Sequence, residues 1–322
     1  MERISPPSWL RRNVNRWHGL VARSEWATRL YVRSVAAIAR LVSGTRLGTL
    51  MEGAVTGQGI RWKPLSFPAR DVILGERTTV RLHPHLGEFD QAALFRRRLG
   101  YEHPVFAWLE RHAAQRYDAV VEIGANVGIY SVFFDALIKS APEDRLHQVY
   151  AFEPSDQAYR RLLANLEANS ARSVSPISAA ISDRTGIAPF FEPEGHLTNG
   201  SLCKSFAGQF SPVRTSMVVT VTATALADIF DRHTPVLLKI DAEGFEPQLL
   251  RTLAPILDRH APDLLVEVLS GVDDELEREP CLAGYARFLL TAHGASRQDA
   301  IRADPVHRDW LLTRSPGDVL AA

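Results

Sequence analysis

The sequence predicts an α/β fold: a Rossmann-like sheet of mostly parallel strands with an antiparallel edge strand, flanked by helices and preceded by a helical N-terminal extension. Three apolar runs predict it. The run at 120–123 leads into the glycine turn GANVG and a helix-like segment, and the run at 149–152 ends at Glu153. Strand, turn, helix and strand in this order form a βαβ unit, in which the carboxyl ends of parallel strands face a ligand. A third run, 236–240, ends at Asp241 and indicates a further parallel strand.

The chain is predicted to consist of three segments. These are residues 1–70, a basic amphipathic helical extension; residues 71–116, short strands and a helix that lead into the core; and residues 117–322, the ligand-binding domain with an insertion at about 190–221. The first fifty residues carry nine arginines and two glutamates, and apolar residues recur there at helical spacing up to about Gly44. This apolar stripe either packs on the protein itself or a partner subunit, or lies on an anionic membrane.

Local patterns predict the remaining elements. Strands are expected at 71–75, 78–83, 175–181 and 264–269, with the antiparallel edge strand at 310–313. Helices are expected at about 90–116, at 156–169 and at 285–292. Ser155 suits the N-cap of the second helix, because its hydroxyl can accept a free backbone N–H. The insertion is expected to be a loop, of the kind that often binds substrates or closes over sites.

The spacing of the glycines indicates which ligand the turn holds. A dinucleotide fingerprint, GxGxxG, would need glycines at three positions that are here Gly124, Asn126 and Ile129. A Walker A loop, GxxxxGK[ST], does not occur in the sequence. Gly124 and Gly128 still let the backbone turn sharply and approach a ligand. Because Glu153 can accept both hydroxyls of a ribose, the pattern suits an adenosine-containing ligand without phosphates, such as S-adenosylmethionine.

The third motif, KIDAEGFE at 239–246, places charged residues at the end of a strand. Lys239 and Asp241 alternate onto one face of that strand. Asp241 is the informative residue, because aspartate disfavours strands and stands here where the strand meets its loop. Glu243 has a simpler explanation: it is expected to begin the next helix together with Glu246, and acidic residues there interact favourably with the helix dipole.

Four segments carry a resemblance to a known family. They are EIGANVGIYS at 122–131, AFEPSDQAYRRLLANLEAN at 151–169, LLKIDAEGFEPQLL at 237–250 and LLVEVLSG at 264–271. In this order they resemble the FkbM family of S-adenosylmethionine-dependent methyltransferases, and the resemblance extends over residues 85–315. The family usually has aspartate at the position of Glu122 and often has valine at that of Ala242. The resemblance implies transfer of a methyl group to a hydroxyl oxygen, commonly on a sugar or a polyketide-type natural product.

The motifs, the strand order and the resemblance together indicate the site residues. Predicted cofactor contacts are Glu122, Gly124, Asn126, Gly128, Glu153, Ala180 and Ile181. Predicted substrate contacts are Asn199, Lys239 and Glu243. A hydroxyl acceptor needs a base, for which Asp241 is the first candidate and His196 the second, although either could only orient the hydroxyl. No resident metal is predicted, and the alternative is a divalent ion held by Asp241 and Glu243. Glu267, inside an apolar run, either pairs with Lys239 or handles substrate.

Composition narrows the function classes. The formal net charge of zero argues against a nucleic-acid-binding protein, which usually carries a basic domain. Two cysteines, Cys203 and Cys281, make neither a disulfide framework nor a metal cluster. Neither a secretory signal nor a membrane-spanning run is seen in the sequence. We therefore expect a cytoplasmic protein, and we keep open both peripheral contact with the inner membrane face and a homo-oligomer.

Three functions remain under consideration. The first is an S-adenosylmethionine-dependent O-methyltransferase that acts on a hydroxyl of a sugar, glycan or polyketide-type natural product. The second is a degenerate family member that binds the cofactor or a partner without turnover. The third is a nicotinamide-dependent Rossmann oxidoreductase, which Asn126 and Ile129 disfavour. The intact glycine turn, Glu153 and Asp241 favour the first.

Overall fold

The computed structural model describes residues 8–21, 23–55, 65–86, 88–194, 199–209 and 212–320. The helices of these ranges are α1 (Ser8–Val21), α2 (Glu25–Val42), α3 (Arg46–Val55), α4 (Ala92–Phe95), α5 (His103–Arg116), α6 (Ile129–Ser140), α7 (Asp156–Asn169), α8 (Lys204–Ala207), α9 (Thr224–Arg232), α10 (Glu246–His260), α11 (Asp273–Glu277) and α12 (Gly317–Leu320). The strands are β1 (Leu65–Ser66), β2 (Arg70–Leu74), β3 (Thr78–Leu82), β4 (His85–Leu86), β5 (Ala119–Ile123), β6 (Gln148–Phe152), β7 (Val174–Ile177), β8 (Ala180–Ile181), β9 (Gly186–Pro193), β10 (Val213–Val221), β11 (Val236–Ile240), β12 (Asp263–Glu267), β13 (Ala286–Thr291), β14 (Gly294–Gln298) and β15 (Asp309–Thr313).

An eight-stranded sheet forms the core, in the order β14-β13-β15-β12-β11-β5-β6-β7. The five strands from β12 to β7 in this order are parallel, and β15, β13 and β14 add to them by antiparallel pairing. All residues of β5 and β11 are buried, as expected for strands covered on both faces. Val120 and Val121 pack into two different hydrophobic clusters, one on each face. The predicted fold class is confirmed, with three antiparallel strands at one side of the sheet.

The strand order changes direction at β5, and this positions the site. From β5 the chain passes through α6 to β6 on one side, whereas β11, which comes later, pairs with β5 on the other side. Ligands of open α/β sheets bind at such a switch point, outside the carboxyl ends of the strands. Gly124 directly follows β5 and Asp241 directly follows β11. The Asp241 N–H donates to the Ile123 carbonyl over 3.0 Å, so the two strand ends are joined.

Several predicted elements are confirmed. α7 begins and ends where the sequence predicted, and the Ser155 hydroxyl caps it by accepting the Ala158 N–H over 3.3 Å. β2 and β3 form an antiparallel pair before the core. β15 is the expected antiparallel strand, although it lies between β12 and β13 and not at the edge of the sheet.

One predicted helix is wrong and another is confirmed only in part. The expected helix at 285–292 contains strand β13, in which Phe288 and Leu290 are buried with the two-residue period of a sheet. The expected helix at about 90–116 is interrupted, because α4 and α5 are separated by non-helical chain. Pro104 lies in the first turn of α5, where its fixed φ suits a helix start and prevents a continuous helix from α4.

The third strand and the insertion also differ from expectation. The strand predicted at 175–181 is divided: β7 stays in the central sheet, while β8 pairs with β10 in a separate three-stranded sheet. The insertion, expected as a loop, contains most of an antiparallel β9–β10 hairpin that begins at Gly186. The β-branched run at 218–221 favours a strand there. His196 belongs to residues 195–198, which lie outside the described residues.

Three helices, α1, α2 and α3, form the N-terminal extension, where one or two were expected. α2 ends at Val42, close to the expected end near Gly44. Ala36 and Ala39 of α2 are buried in a small hydrophobic cluster with α4, which attaches the extension to the body. Within the described ranges, the helices are all too short or too polar to cross a membrane.

Candidate functional site

Two cavities meet at the carboxyl ends of β5, β6 and β11. The first, here called the nucleoside cavity, has a volume of about 630 Å³ with its open mouth, and its lining includes Phe152, Glu153, Ala180, Ile181 and Leu249. The second, the acidic cavity, has about 2330 Å³, and its lining includes Glu102, Glu122, Lys239, Glu267 and Asp309. Both are lined by Gly124, Asn126, Asp241 and Glu243. Ligands of open α/β sheets bind outside the carboxyl ends of the strands, so both cavities lie where a ligand is expected.

The backbone at Gly124 leaves no room for a side chain. Gly124 has φ +84°, and a Cβ atom placed on it would lie 1.8 Å from the carbonyl oxygen of Asp241. The Gly124 N–H donates to the Phe152 carbonyl over 3.0 Å, so the turn also contacts β6. The missing side chain therefore lets the ends of three strands come together at the site.

Replacing Gly124 with alanine tests this contact. Gly284 is a matched control, because its φ is +82° but no atom lies within 4 Å of a Cβ there. We expect Gly284→Ala to lower the free energy of unfolding by about 1–2 kcal/mol, the cost of a left-handed backbone. Gly124→Ala adds a backbone clash, so it should lower the free energy of unfolding by more than about 3 kcal/mol and abolish cofactor binding. Urea unfolding and ligand titration measure both, and equal losses in the two variants would contradict this role of Gly124.

Glu153 directly follows β6 and holds the glycine turn in place. Its two carboxylate oxygens accept the backbone N–H groups of Asn126 and Ser155, each over 2.7 Å. The residue is only 5% exposed. Burial raises the pKa of Glu153 to about 7, although the two N–H donors act in the opposite direction. Asn126 has φ +51°, an unfavourable backbone conformation of the kind found at ligand sites.

The raised pKa of Glu153 makes cofactor binding depend on pH. Ribose hydroxyls donate to the ionised carboxylate, so binding favours the deprotonated form and lowers the pKa of Glu153. Below about pH 7 the Glu153 carboxyl group is protonated and has to lose its proton before the cofactor binds. The affinity should then fall by up to about tenfold for each unit by which the pH is lowered. Calorimetric titration with S-adenosylhomocysteine at several pH values measures this slope. Glu153→Gln should abolish it, and an affinity of the unmodified protein that is constant between about pH 5 and 8 would contradict the assignment.

The other walls of the nucleoside cavity are largely apolar. Ala180 and Ile181 of β8 are buried and line it together with Phe152 of β6. The Oδ1 atom of Asn126 is buried and has no hydrogen-bond partner within the described part of the chain, so the wall also offers an acceptor to a ligand. A buried carboxylate opposite apolar walls, with no phosphate-binding glycine pattern, fits the adenosine half of S-adenosylmethionine.

Two predicted cofactor contacts lie elsewhere in the structure. Gly128 is not among the described residues that line either cavity. It precedes α6 with φ +80°, and a Cβ there would lie 2.3 Å from the Leu162 side chain, so this glycine allows α6 and α7 to pack. Glu122 is buried in β5 and lines the acidic cavity instead. The Ser131 hydroxyl donates to Glu122 over 2.6 Å, and burial raises the pKa of Glu122 to about 7 against the opposing effect of Lys239.

Lys239 and Asp241 form an ion pair where the two cavities join. The Lys239 Nζ lies 3.0 Å from Asp241 Oδ2 and 4.5 Å from the ring centre of Tyr130. The side chain of Lys239 is 4% exposed and that of Asp241 is 25% exposed. Burial lowers the pKa of Lys239, but Asp241, Glu122 and Glu102 outweigh this effect and raise it, so Lys239 stays a cation. Lys239 therefore fixes the Asp241 carboxylate at the junction.

Two carboxylates reach the acidic cavity from parts of the chain that sequence reasoning did not connect with the site. Glu102 lies before α5 with φ +41° and accepts a hydrogen bond from the Tyr130 hydroxyl. Asp309 begins β15. Burial raises the pKa of both carboxyl groups. Neither residue belongs to a recognisable motif. Glu102 follows the charged stretch RRRLGY, a pattern that is typical of a protein surface.

Glu243 and Glu267 complete the acidic wall. Glu243 lies in the turn before α10 with φ +53°, and not in the helix as expected. Glu267 lies at the end of β12 and forms an ion pair with Arg308 at 3.7 Å. The partner that the sequence suggests for Glu267 is Lys239, which instead pairs with Asp241. Oxygens of Asp241, Glu243 and Glu267 lie within 4.8 Å of one another, close enough to share a metal ion. Lys239 and the raised pKa values of Glu243 and Glu267 already limit the negative charge there.

The structure brings most of the predicted site residues together. Asn199, Lys239 and Glu243, the predicted substrate contacts, all line the acidic cavity. Asp241, the first candidate base, lines both cavities. The placement of His196, the second candidate, lies outside the described residues. The catalytic and binding roles of these residues stay predictions.

Comparison with known protein families supports the same assignment. Residues 122–289, which are 168 of the 322 residues, match the family model of the methyltransferase FkbM domain. That range includes Glu122, Glu153, Lys239 and Asp241. No curated protein sequence matches the chain.

Solved structures similar to this chain include several methyltransferases. A methyltransferase FkbM from Methylobacillus flagellatus KT is 16% identical and has a TM-score of 0.40, with 61% of this chain and 43% of that chain covered. A ribosomal protein L11 methylase from Lactobacillus delbrueckii subsp. bulgaricus is 16% identical with a TM-score of 0.36, at coverages of 76% and 96%. A SAM-dependent methyltransferase from Agrobacterium tumefaciens is 11% identical with a TM-score of 0.37, at coverages of 78% and 69%. This chain thus spans less than half the length of the Methylobacillus protein.

The family match covers more than half of the chain and contains both the glycine turn and the Lys239–Asp241 pair. The chain therefore belongs to the FkbM family of S-adenosylmethionine-dependent methyltransferases.

Proposed function

We propose that the protein is an O-methyltransferase that moves the methyl group of S-adenosylmethionine to a hydroxyl of a sugar, glycan or polyketide-type natural product. One observation carries the proposal: Asp241 lines both the nucleoside cavity and the acidic cavity. A carboxylate at this junction can contact an acceptor hydroxyl in one cavity beside a cofactor in the other. Bound S-adenosylmethionine supplies a methyl group already activated by its sulfonium centre, so the protein has to position the acceptor and take its proton.

The nucleoside cavity holds the cofactor in this proposal. Glu153 uses the remaining lone pairs of its carboxylate for the ribose hydroxyls, while its bonds to Asn126 and Ser155 keep it in place. Ala180 and Ile181 provide apolar contact for the adenine ring. The Oδ1 of Asn126, which has no partner among the described residues, accepts a donor of the bound cofactor.

Asp241 acts as the base. Its Oδ2 is held by Lys239 over 3.0 Å, so Oδ1 is the atom that we assign to the acceptor hydroxyl. As the oxygen forms its bond to the methyl group, the proton passes to the Asp241 carboxylate. Lys239 does not touch the acceptor proton in this scheme, because its raised pKa keeps it protonated.

The acidic cavity favours an acceptor that is rich in hydroxyl groups and carries no negative charge. Glu102, Glu243, Glu267 and Asp309 present carboxyl groups to it, and the ionised ones among them repel carboxylate or phosphate groups on a ligand. Burial, with the neighbouring carboxylates, raises the pKa of Glu267 to about 8. Near neutral pH such a group is partly protonated and can both donate and accept hydrogen bonds, as a polyol requires.

The position of the transferred methyl group tests the proposal. The protein is incubated with isotopically labelled S-adenosylmethionine and a panel of neutral saccharides and polyketide alcohols, and the products are analysed by mass spectrometry. We expect a methyl ether that survives mild alkali. Label in an alkali-labile methyl ester or on an amine nitrogen would contradict O-methylation of a hydroxyl. Binding of S-adenosylhomocysteine without transfer to any member of the panel would favour the degenerate family member.

The cellular setting belongs to the same proposal. Cys203 and Cys281 are free thiols, which suits a reducing cytoplasm. A net charge of zero suits a small-molecule or glycan acceptor better than a nucleic acid. The nicotinamide oxidoreductase is the weaker alternative, since Asn126 replaces a glycine that a dinucleotide pyrophosphate needs.

A further inference from the structure

Exposed apolar side chains are concentrated in the N-terminal helices. Among the described residues, eight of fourteen exposed large hydrophobic side chains belong to α1, α2 and α3: Trp9, Trp17, Leu20, Trp26, Leu30, Ile38, Leu41 and Leu47. Trp17, Trp26 and Leu41 are 65%, 74% and 84% exposed. Single exposed apolar residues need no explanation, but their concentration in three consecutive helices makes these helices a candidate interaction surface.

Helix α2 has two apolar faces, and only one of them packs against the rest of the protein. Ala36 and Ala39 are buried against α4. Trp26, Leu30 and Leu41 are four, eleven and fifteen residues apart, so they share one face of the helix. That face lies away from the buried alanines and is exposed. Packing on the body of the protein therefore does not explain the outer stripe.

Arginines flank this stripe. Arg29, Arg33 and Arg40 are exposed and lie along the neighbouring face of α2. The sequence of the three helices and their linkers contains eight arginines and two glutamates, Glu25 and Glu52. Glu52 is paired over 2.7 Å with an arginine outside the extension. Glu25 pairs with Arg29 over 3.6 Å, but arginines outnumber glutamates in these helices. The exposed side of α2 is therefore both apolar and positively charged.

An anionic bilayer surface fits this combination. Tryptophan rings are enriched at the headgroup level of membranes, and arginines close to the surface are attracted by anionic headgroups. A helix with such a face lies in the plane of the interface. A second copy of this chain fits poorly, because a two-fold axis would place each arginine cluster against itself.

We propose that α1 and α2 dock on an anionic membrane surface, with Trp9, Trp17, Trp26, Leu30 and Leu41 in the interfacial layer and the neighbouring arginines at the headgroups. Docking of this kind does not depend on the identity of the methyl acceptor. Failure of either proposal therefore leaves the other intact.

Vesicle flotation of the full-length protein tests the docking. Vesicles of phosphatidylcholine alone are compared with vesicles that also contain phosphatidylglycerol. We expect flotation with the anionic vesicles at low salt, weakened by high salt, and none with the neutral vesicles. Tryptophan emission should shift to shorter wavelength at the same time, since Trp9 and Trp17 are exposed whereas Trp108 and Trp310 are buried and stay constant.

Substitution of the arginines separates the electrostatic contribution. Arg29→Gln, Arg33→Gln and Arg40→Gln should each weaken partition into anionic vesicles about fivefold, and the triple variant about 100-fold. Arg184→Gln is the matched control, because Arg184 is exposed on a turn distant in sequence from the helices. Equal partition of the triple variant and the control would overturn the charge assignment.

Substitution of the tryptophans tests the apolar contact. Trp17→Ser with Trp26→Ser should reduce both flotation and the emission shift. Ile187→Ser with Met217→Ser is the control, since both residues are exposed, at 68% and 63%, on the β9–β10 hairpin. No flotation of the unmodified protein at low salt would overturn the proposal. A dimer that depends on Trp17 and Trp26, without vesicle binding, would assign the surface to a second copy and overturn it as well.

Discussion

Asp241→Asn should lower the rate of methyl transfer by about 10²–10⁴-fold, the usual contribution of a general base, and leave the affinity for S-adenosylhomocysteine nearly unchanged. Asparagine keeps the shape of the side chain but is a far weaker proton acceptor. Lys239 loses one anionic partner and keeps the influence of Glu122 and Glu102, so the strand end should stay folded. The measurement is a single-turnover rate with labelled S-adenosylmethionine and an acceptor identified in the panel.

The Asp241 experiment has a matched control in Asp183→Asn. Asp183 is exposed in the turn before β9 and is not among the described residues that line the two cavities, so its replacement should leave the rate unchanged. The effects of Asp241→Asn on the turnover number and on KM, taken separately, decide the role of Asp241. A turnover number close to that of the unmodified enzyme with a raised KM would show that Asp241 only orients the acceptor, and the base would have to be sought elsewhere.

Glu153→Ala should weaken binding of S-adenosylhomocysteine by at least about 100-fold. Two ribose hydroxyls donate to this carboxylate in our assignment, and each hydrogen bond to a charged group contributes about 1.5–3 kcal/mol. The substitution also removes the acceptor for the N–H groups of Asn126 and Ser155. Calorimetric titration measures the affinity, and urea unfolding shows whether the variant is folded.

A second variant keeps the Glu153 prediction testable if the alanine variant unfolds. Glu153→Gln retains one acceptor oxygen and the size of the side chain, so it should fold and bind more weakly than the unmodified protein. Glu167→Ala is the control, because Glu167 is an exposed residue of α7. Affinity of Glu153→Gln equal to that of the control would contradict a ribose contact.

The ends of three strands could be located from the sequence alone. Gly124, Glu153 and Asp241 directly follow β5, β6 and β11, and each ends an apolar run that a local pattern reveals. Parallel strands place their carboxyl ends at one edge of a sheet. Knowledge of three strand ends was therefore sufficient to predict that these residues lie close together.

The function of a glycine was not predictable from its spacing. Gly124 and Gly128 belong to the same turn, and both have positive φ. Gly124 meets the Asp241 backbone in the cavity wall, whereas Gly128 meets Leu162 on the far side. The neighbour that a glycine accommodates is a property of the tertiary fold, and no local pattern encodes it.

Long-range pairing explains the misplaced elements and the missed carboxylates. The segment that contains β13 has apolar residues that suit either a helix or a strand, and pairing with β14 and β15 selects the strand. Glu102 and Asp309 reach the acidic cavity from distant parts of the chain. Their proximity depends on where β15 enters the sheet, which the sequence pattern does not show.

Calorimetric titration of the purified protein with S-adenosylhomocysteine, with NAD in parallel, tests most directly whether the nucleoside cavity is a methyltransferase cofactor site. We expect one equivalent of S-adenosylhomocysteine to bind and NAD to give no heat, because Glu153 accepts a ribose while Asn126 replaces a glycine of the dinucleotide pattern. Binding of NAD without binding of S-adenosylhomocysteine would contradict this assignment of the cavity.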